Sequence, residues 1–432
     1  MKAVLADVAA SAFLPPCLVF LVAFGLYMGN GRGWPSGDTV PGKLVPISIL
    51  VEKNLDMDEF AQAISPGTRY CMIDVKGHKY SSYPLGPAFT ALPIYTIEYL
   101  ADPDVFGEGM RRFREAPFGN DVTTTASRLE KRSAAIITAL SAVFIWLICG
   151  QRLPVSAAIL LTVGYAFGTS LMSSASQALW THGPACLALT VMFYGLLKDR
   201  ASRWLHVVVG IAAAWAVFCR PTNVLPILVL APWVVWNCRG RAVWIALGGV
   251  AVFGATSALN FSIYGSILGG YAGHRGMFES FSGEALAGIL FSPSRGLFVF
   301  SPFLLLAVGL GLVAAVKRPT GYAAGCLLAA VAYVVLYAFW PDWGAGFSFG
   351  ARLLCDVVPF LVMTLILSFD YVRQHRAVMA VYLVLLALSV WVNVRGAYRK
   401  SDDWNGEIFA RQERSLLWQV KDSQWTWTVL GR

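Results

Sequence analysis

SAFLPPCLVFLVAFGLYMG, residues 11–29, is an apolar run that opens straight into the polar, turn-rich stretch GWPSGDTVPGKLVP at residues 33–46. A helix needs about 20 apolar residues to cross roughly 30 Å of hydrocarbon, and the first run meets that length. Further runs follow at 133–149, 155–172, 178–197, 204–219, 222–236, 242–262, 297–316, 321–339, 353–369 and 377–394. Backbone polar groups in lipid must be satisfied inside their own segment, so these runs read as helices and not as open strands. The expected fold class is an all-α membrane protein with about 11–12 transmembrane helices and one large first loop, residues 30–132.

Composition agrees. Of 432 residues, 57% are hydrophobic and 14% charged, which excludes an ordinary soluble domain. No small-x-small cleavage pattern follows the first run, so it reads as a retained anchor. The eight cysteines (Cys17, Cys71, Cys149, Cys186, Cys219, Cys238, Cys326 and Cys355) form no CxxC pair and lie mostly in or beside apolar runs. Neither a zinc site nor a disulfide framework is indicated. The net charge of +9 belongs to loops beside a bilayer. Nucleic acid, which needs a soluble basic face, is not an expected partner; membrane lipids are.

Topology turns on residues 85–100, an apolar stretch that is short and interrupted by Pro87 and Pro93. Lys and Arg near span ends stay cytoplasmic. If 85–100 does not cross, the inner side holds Lys2, Arg152, Lys198, Arg200, Arg203, Arg239, Arg241, Lys317, Arg318, Arg373 and Arg376. The short outer loops then hold only Arg220, Arg275, Arg295 and Arg352. The contrary charges Arg111, Arg112, Arg114, Arg128, Lys131 and Arg132 lie in the tail of a long loop, where the rule is weak. Residues 85–100 therefore read as a juxtamembrane or re-entrant helix, with loop 30–132 and the tail 395–432 outside. The tail's Trp404, Trp418, Trp425 and Trp427 suit the headgroup level. No internal repeat or glycine-rich nucleotide loop appears, and the chain reads as one domain, 1–432.

All motif-like loops then share one face. Asp38, in a Pro/Gly-rich turn, reads as a general base or metal ligand, or as an Asx-turn cap. Acids followed by helical apolar spacing at 55–64 (LDMDEFAQAI) read as a short interfacial helix, with Asp56, Asp58 and Glu59 favouring its N-terminal dipole. Lys79, Tyr80 and Tyr83 in GHKYSSYPLGPAFTALP (77–93) have the chemistry to meet a lipid phosphate, and equally to anchor a chain at the interface. His182, after Trp180 at a span start, reads as a hydrogen-bonded packing residue or a ligand. Cations at membrane depth face a cavity or an anion, which marks Arg220 in CRPTN, Arg295 in SPSRGLFVFSP and Arg352 in WPDWGAGFSFGARLL. Together with Arg275 they suit a phosphate leaving group. Trp340, Trp343, Phe347 and Phe349 offer aromatic faces for a sugar or an isoprenoid chain.

This pattern resembles the GT-C superfamily of membrane glycosyltransferases, in particular the relatives of protein O-mannosyltransferases and aminoarabinose transferases. Asp38 matches the family's loop acid, YSSYPLGP (80–87) matches its Pro-rich element, and SRLEKRSAAIITALS (127–141) matches an ARxxS-like span start. Two departures stand out. Tyr83 occupies a position that is basic in relatives, which moves the phosphate contact to Lys79 or a later arginine. Asp38 is a single acid and not an adjacent pair, which leaves a divalent cation open. The resemblance implies a GT-C-like bundle with juxtamembrane helices in its first extracytoplasmic loop. It also implies inverting transfer from a polyprenyl-phosphate sugar donor to a glycolipid, polysaccharide or protein acceptor. The site would face the periplasm or exterior of the cell membrane. The alternative is a transporter or flippase of a lipid-linked saccharide, which predicts functional residues on both faces and often a repeat.

Overall fold

The computed structural model describes residues 2–104, 106–107, 121–198, 202–273, 278–399, 402–407, 409–411 and 413–430. Arg275 lies outside these residues, as do Arg111, Arg112, Arg114 and Arg200 of the charge count. The described chain is all-α apart from one hairpin. Its helices are α1 (Lys2–Met28), α2 (Val40–Val51), α3 (Gly86–Ala101), α4 (Asp121–Gly150), α5 (Val155–Phe167), α6 (His182–Leu197), α7 (Arg203–Cys219), α8 (Val224–Cys238) and α9 (Ala242–Tyr264). Then follow α10 (Gly283–Phe291), α11 (Leu297–Phe300), α12 (Leu304–Lys317), α13 (Tyr322–Tyr337), α14 (Val357–Gln374), α15 (Arg376–Tyr398), α16 (Asp402–Glu407) and α17 (Gln424–Leu430). By length and composition, Thr125–Gly150, Pro221–Tyr264, Val357–Gln374 and Arg376–Tyr398 can cross a membrane; further apolar helices are shorter.

Several expected runs are broken by their own polar or turn residues. Run 155–172 ends as a helix at Phe167, where Gly168 caps it, and continues into a π-turn at Leu171–Ala175. Run 297–316 splits at Ser301 and Pro302, because Pro302 lacks the N–H that would carry a helix through. Run 178–197 becomes helical only at His182, with Pro184 in its first turn. The helix expected at 55–64 is a single 3-10 turn, Asp58–Phe60. Its acid is diverted to the neighbouring hairpin, where Asp58 accepts from Lys79 N at 2.6 Å and meets His78 Nδ1 at 2.7 Å.

That hairpin pairs β1 (Met72–Val75) with β2 (His78–Ser81), register Met72↔Ser81 to Val75↔His78. Its two-residue turn places Lys76 at φ +55 and Gly77 at φ +88, the positive-φ pair a tight hairpin requires.

The main core runs through Tyr27, Tyr165, Phe193, Phe303, Tyr333 and Phe360, all buried. Helix α1 packs on α4, α4 on α6, α6 on α7, and α7 on α9. At the last crossing Gly210 faces the Ile245 carbonyl so closely that an added Cβ would sit 1.9 Å from it. Small residues allow such backbone approach. A second core gathers α2, α3 and the hairpin segment around Ile47, Met57, Phe60, Leu85 and Tyr95. It docks where the start of α3 meets the end of α7: a Cβ on Gly86 would lie 2.6 Å from the Cys219 backbone. The loop bearing Tyr83 is thereby held beside Arg220. The tail folds back on the preceding loops, where Ser292 donates to the Leu417 carbonyl at 2.7 Å and Trp404 is buried.

Candidate functional site

Asp38 is placed by its neighbours. Ser36 caps the turn Gly37–Thr39 by accepting from Asp38 N at 3.2 Å, and Pro41 opens α2 directly behind. The capping role open to Asp38 thus falls to Ser36, and the carboxylate is free to face inward. Its Oδ1 accepts from the Tyr83 hydroxyl at 2.8 Å and the Tyr70 hydroxyl at 3.0 Å. Its Oδ2 accepts from Arg352 at 2.8 Å. Burial alone would raise the Asp38 pKa, but the adjacent Arg352 charge and these three hydrogen bonds hold it below the usual carboxylate value. Burial, and then the Asp38 charge, push both tyrosines up, so they remain neutral donors.

Arg352 is fixed from two more sides. It donates to the Ala345 carbonyl at 2.6 Å, and its guanidinium lies 4.1 Å over the Trp180 ring. Its Nε is buried and has no hydrogen-bond partner among the described residues. The loop that delivers it bends through positive φ at Ala345, Gly346 and Gly350. A cavity of about 280 Å³ opens beside this pair, lined by Trp34, Ser36, Gly37, Ser173, Ser174, Trp180, Phe347, Ser348 and Asn405 among others. Aromatic faces mixed with hydroxyls suit a small polar ligand.

A second cluster lies behind the first. Asp356 accepts from His182 Nδ1 at 2.5 Å and from Asn223 at 3.0 Å, and it lies 3.3 Å from Arg220 Nε. Arg220 donates to Tyr333 at 2.9 Å, to Thr181 at 3.0 Å, to His182 Nε2 at 3.1 Å and to Tyr337. A donor aimed at Nε2 assigns His182 as the neutral tautomer with its proton on Nδ1. The two clusters touch through consecutive residues, since Trp180 carries Arg352 while Thr181 and His182 hold Arg220. Tyr271 bridges them on the other side. Its ring meets Tyr83 edge-on at 6.0 Å, and the charges of Arg220, Asp38 and Arg352 all act on it.

Of the residues singled out in the sequence, Asp38, Tyr83 and Arg352 meet directly, and His182 and Arg220 meet each other behind them. Others stand elsewhere. Arg295 is buried, with its guanidinium donating to the carbonyls of Gly344, Gly346 and Ser348 and to Gln424. It organises the 344–348 loop and is not presented to an anion. Trp343 packs beneath Trp418 and against Gly288, so its face is closed to a sugar. On the hairpin, Lys79 pairs with Asp74 at 2.7 Å and Tyr80 turns its edge to Tyr264. Neither hydrogen-bonds to the Asp38 cluster.

Sequence reasoning missed Asp356, Asn223 and Tyr70. An acid four residues after Arg352, at the head of an apolar run, carries the same signal that marked the arginines. Tyr70 carried none.

The side chains bonded to Asp38 among the described residues are the donors Tyr70, Tyr83 and Arg352, with no second carboxylate, and such a set does not fit a divalent cation. Among the described residues, the His/Cys/Asp/Glu group close enough to hold a metal is Asp56, Asp58 and His78 beside the hairpin. No protein-family model matches the sequence, and no curated protein matches it.

Proposed function

We propose that the chain is a multi-pass membrane glycosyltransferase. It moves a sugar from a polyprenyl-phosphate-linked donor to an acceptor at the extracytoplasmic face. One observation carries this reading: the first-loop carboxylate Asp38 is joined to Arg352, a guanidinium from a distant loop, beside a cavity of aromatic and hydroxyl groups. The long apolar helices support the membrane bundle.

In the proposed step, an acceptor hydroxyl attacks the anomeric carbon as the carbon–oxygen bond to phosphate breaks. The phosphate leaves with the electron pair and draws Arg352 towards its new charge. Asp38 then loses its strongest partner, its proton affinity rises, and it takes the acceptor proton. Tyr70 and Tyr83 keep the carboxylate oriented throughout. Arg220 and Asp356 anchor the chain on both sides of that charge exchange. Trp34 and Phe347 supply faces on which a sugar ring can stack, while Trp180 carries Arg352.

The test is incubation of the purified protein with a panel of polyprenyl-phosphate sugars, followed by mass spectrometry. Sugar release or transfer that disappears in Asp38→Asn supports the reading. A chain that leaves every donor intact, or an Asp38→Asn variant with full activity, refutes it.

A further inference from the structure

A groove of about 480 Å³ lies between the end of α1 and the start of α4, and four cations line it: Arg32, Arg128, Lys131 and Arg132. Among the described residues, no carboxylate belongs to that lining. Arg132 is offset by an ion pair with Glu98. Arg32, Arg128 and Lys131 form no ion pair among the described residues.

Lys131 is the decisive member. It is 6% exposed, and its ammonium donates to Gln177 Oε1 at 2.7 Å and the Ser176 carbonyl at 3.3 Å. Both acceptors are neutral, and an ammonium has a third N–H to give. A buried cation without a counter-charge is expensive, and an anion in the groove removes that penalty. Arginine forks and a buried lysine lining one groove match phosphate oxygens.

We propose that this groove is a binding site for a phosphate ester, separate from the Asp38 cluster. Gln177 forms the partition. Its side chain holds Lys131 on the groove side, and its carbonyl accepts from Trp34 N at 3.1 Å on the cavity side. Met28 gives the groove an apolar edge, which suits a phosphate carried on a lipid.

The experiment uses the full-length protein in neutral detergent and reads bound ligand by native mass spectrometry. It offers phosphatidylglycerol, phosphatidylcholine and inorganic phosphate. Phosphatidylglycerol should be retained over phosphatidylcholine, more weakly as salt rises. The double variant Arg32→Gln/Arg128→Gln, confined to exposed side chains, should lower that retention about tenfold or more, as loss of charged hydrogen bonds implies. Lys131→Met probes the buried cation. If inorganic phosphate displaces phosphatidylglycerol, the site takes soluble phosphate; if it does not, the lipid-borne group is the ligand. Equal retention of the two lipids with no phosphate binding overturns the proposal. So does retention unchanged in Arg32→Gln/Arg128→Gln. Neither result depends on sugar transfer.

Discussion

Asp38 and Arg352 are 314 residues apart in sequence and 2.8 Å apart in space. The pair ties the first loop to the loop before α14, with the guanidinium almost buried and the carboxylate about three-quarters so. Breaking such a pair leaves the other charge uncompensated, a far larger effect than losing a surface ion pair. The contact therefore holds two loops together and keeps two opposite charges ready to separate.

Replacement of Asp38 by Asn keeps the shape and removes the proton acceptor. Transfer should fall by about a hundredfold or more, the range expected for loss of a general base. The uncompensated Arg352 should also lower the unfolding midpoint, so transfer is compared per folded, inserted molecule. A fall in activity matched by loss of folded protein would instead make Asp38 structural.

The helical body was legible in the sequence because apolar length is a strong signal, and α14 and α15 fall on their runs. Helices α1 and α4 cover theirs but start earlier, α4 at Asp121, so that Arg128, Lys131 and Arg132 stand on a helix and not in a loop tail. Run boundaries were less so: Gly168 and the Ser301-Pro302 step end helices inside apolar sequence. The hairpin at 72–81 was not read, since eight residues of strand lack the span needed for a clear period. Within the site, the outlying charges Asp38, Arg220 and Arg352 announced themselves against their apolar or turn-rich surroundings. Arg295 gave the same signal and proved to serve backbone carbonyls. Sequence places a buried guanidinium, but only the fold shows which acceptor it meets.

Acid should loosen the Asp38–Arg352 tie in a defined direction. The folded-state pKa of Asp38 is lowered, so its contribution to stability is fully present above the unfolded carboxylate value near 3.8. It is lost as pH falls through the lower folded value. Unfolding midpoints of the wild type and Asp38→Asn, followed from pH 7 downward, should keep a constant gap to about pH 4 and converge below it. A gap that closes between pH 7 and 5 contradicts the assigned direction.

The two tyrosines should differ. Tyr83 is the more buried and donates at 2.8 Å, whereas Tyr70 is half exposed and donates at 3.0 Å. Tyr83→Phe should shift the acid limb of the pH–rate profile upward and lower kcat/KM about tenfold, the loss of one hydrogen bond to a charge. Tyr70→Phe should do the same more weakly. Equal or reversed effects would mean that the hydroxyls act on the substrate and not on the carboxylate.

The cluster behind the site makes the opposite kind of prediction, one about folding. Asp356→Asn leaves Arg220 buried without its counter-charge and removes the charged acceptor of His182, a change that costs about 3–5 kcal/mol for a buried pair. Arg220→Met alone strands Asp356 in the same way. The double variant Arg220→Met/Asp356→Leu removes both charges, and an apolar pair of similar volume is often neutral. Its unfolding midpoint should recover most of what either single variant loses, a coupling that a double-mutant cycle reads directly. Donor KM then separates two roles for the network. If Arg220 and Asp356 only brace the chain on which Arg352 sits, the recovered double variant binds donor as the wild type does. If KM stays raised while stability returns, Arg220 reaches the substrate itself.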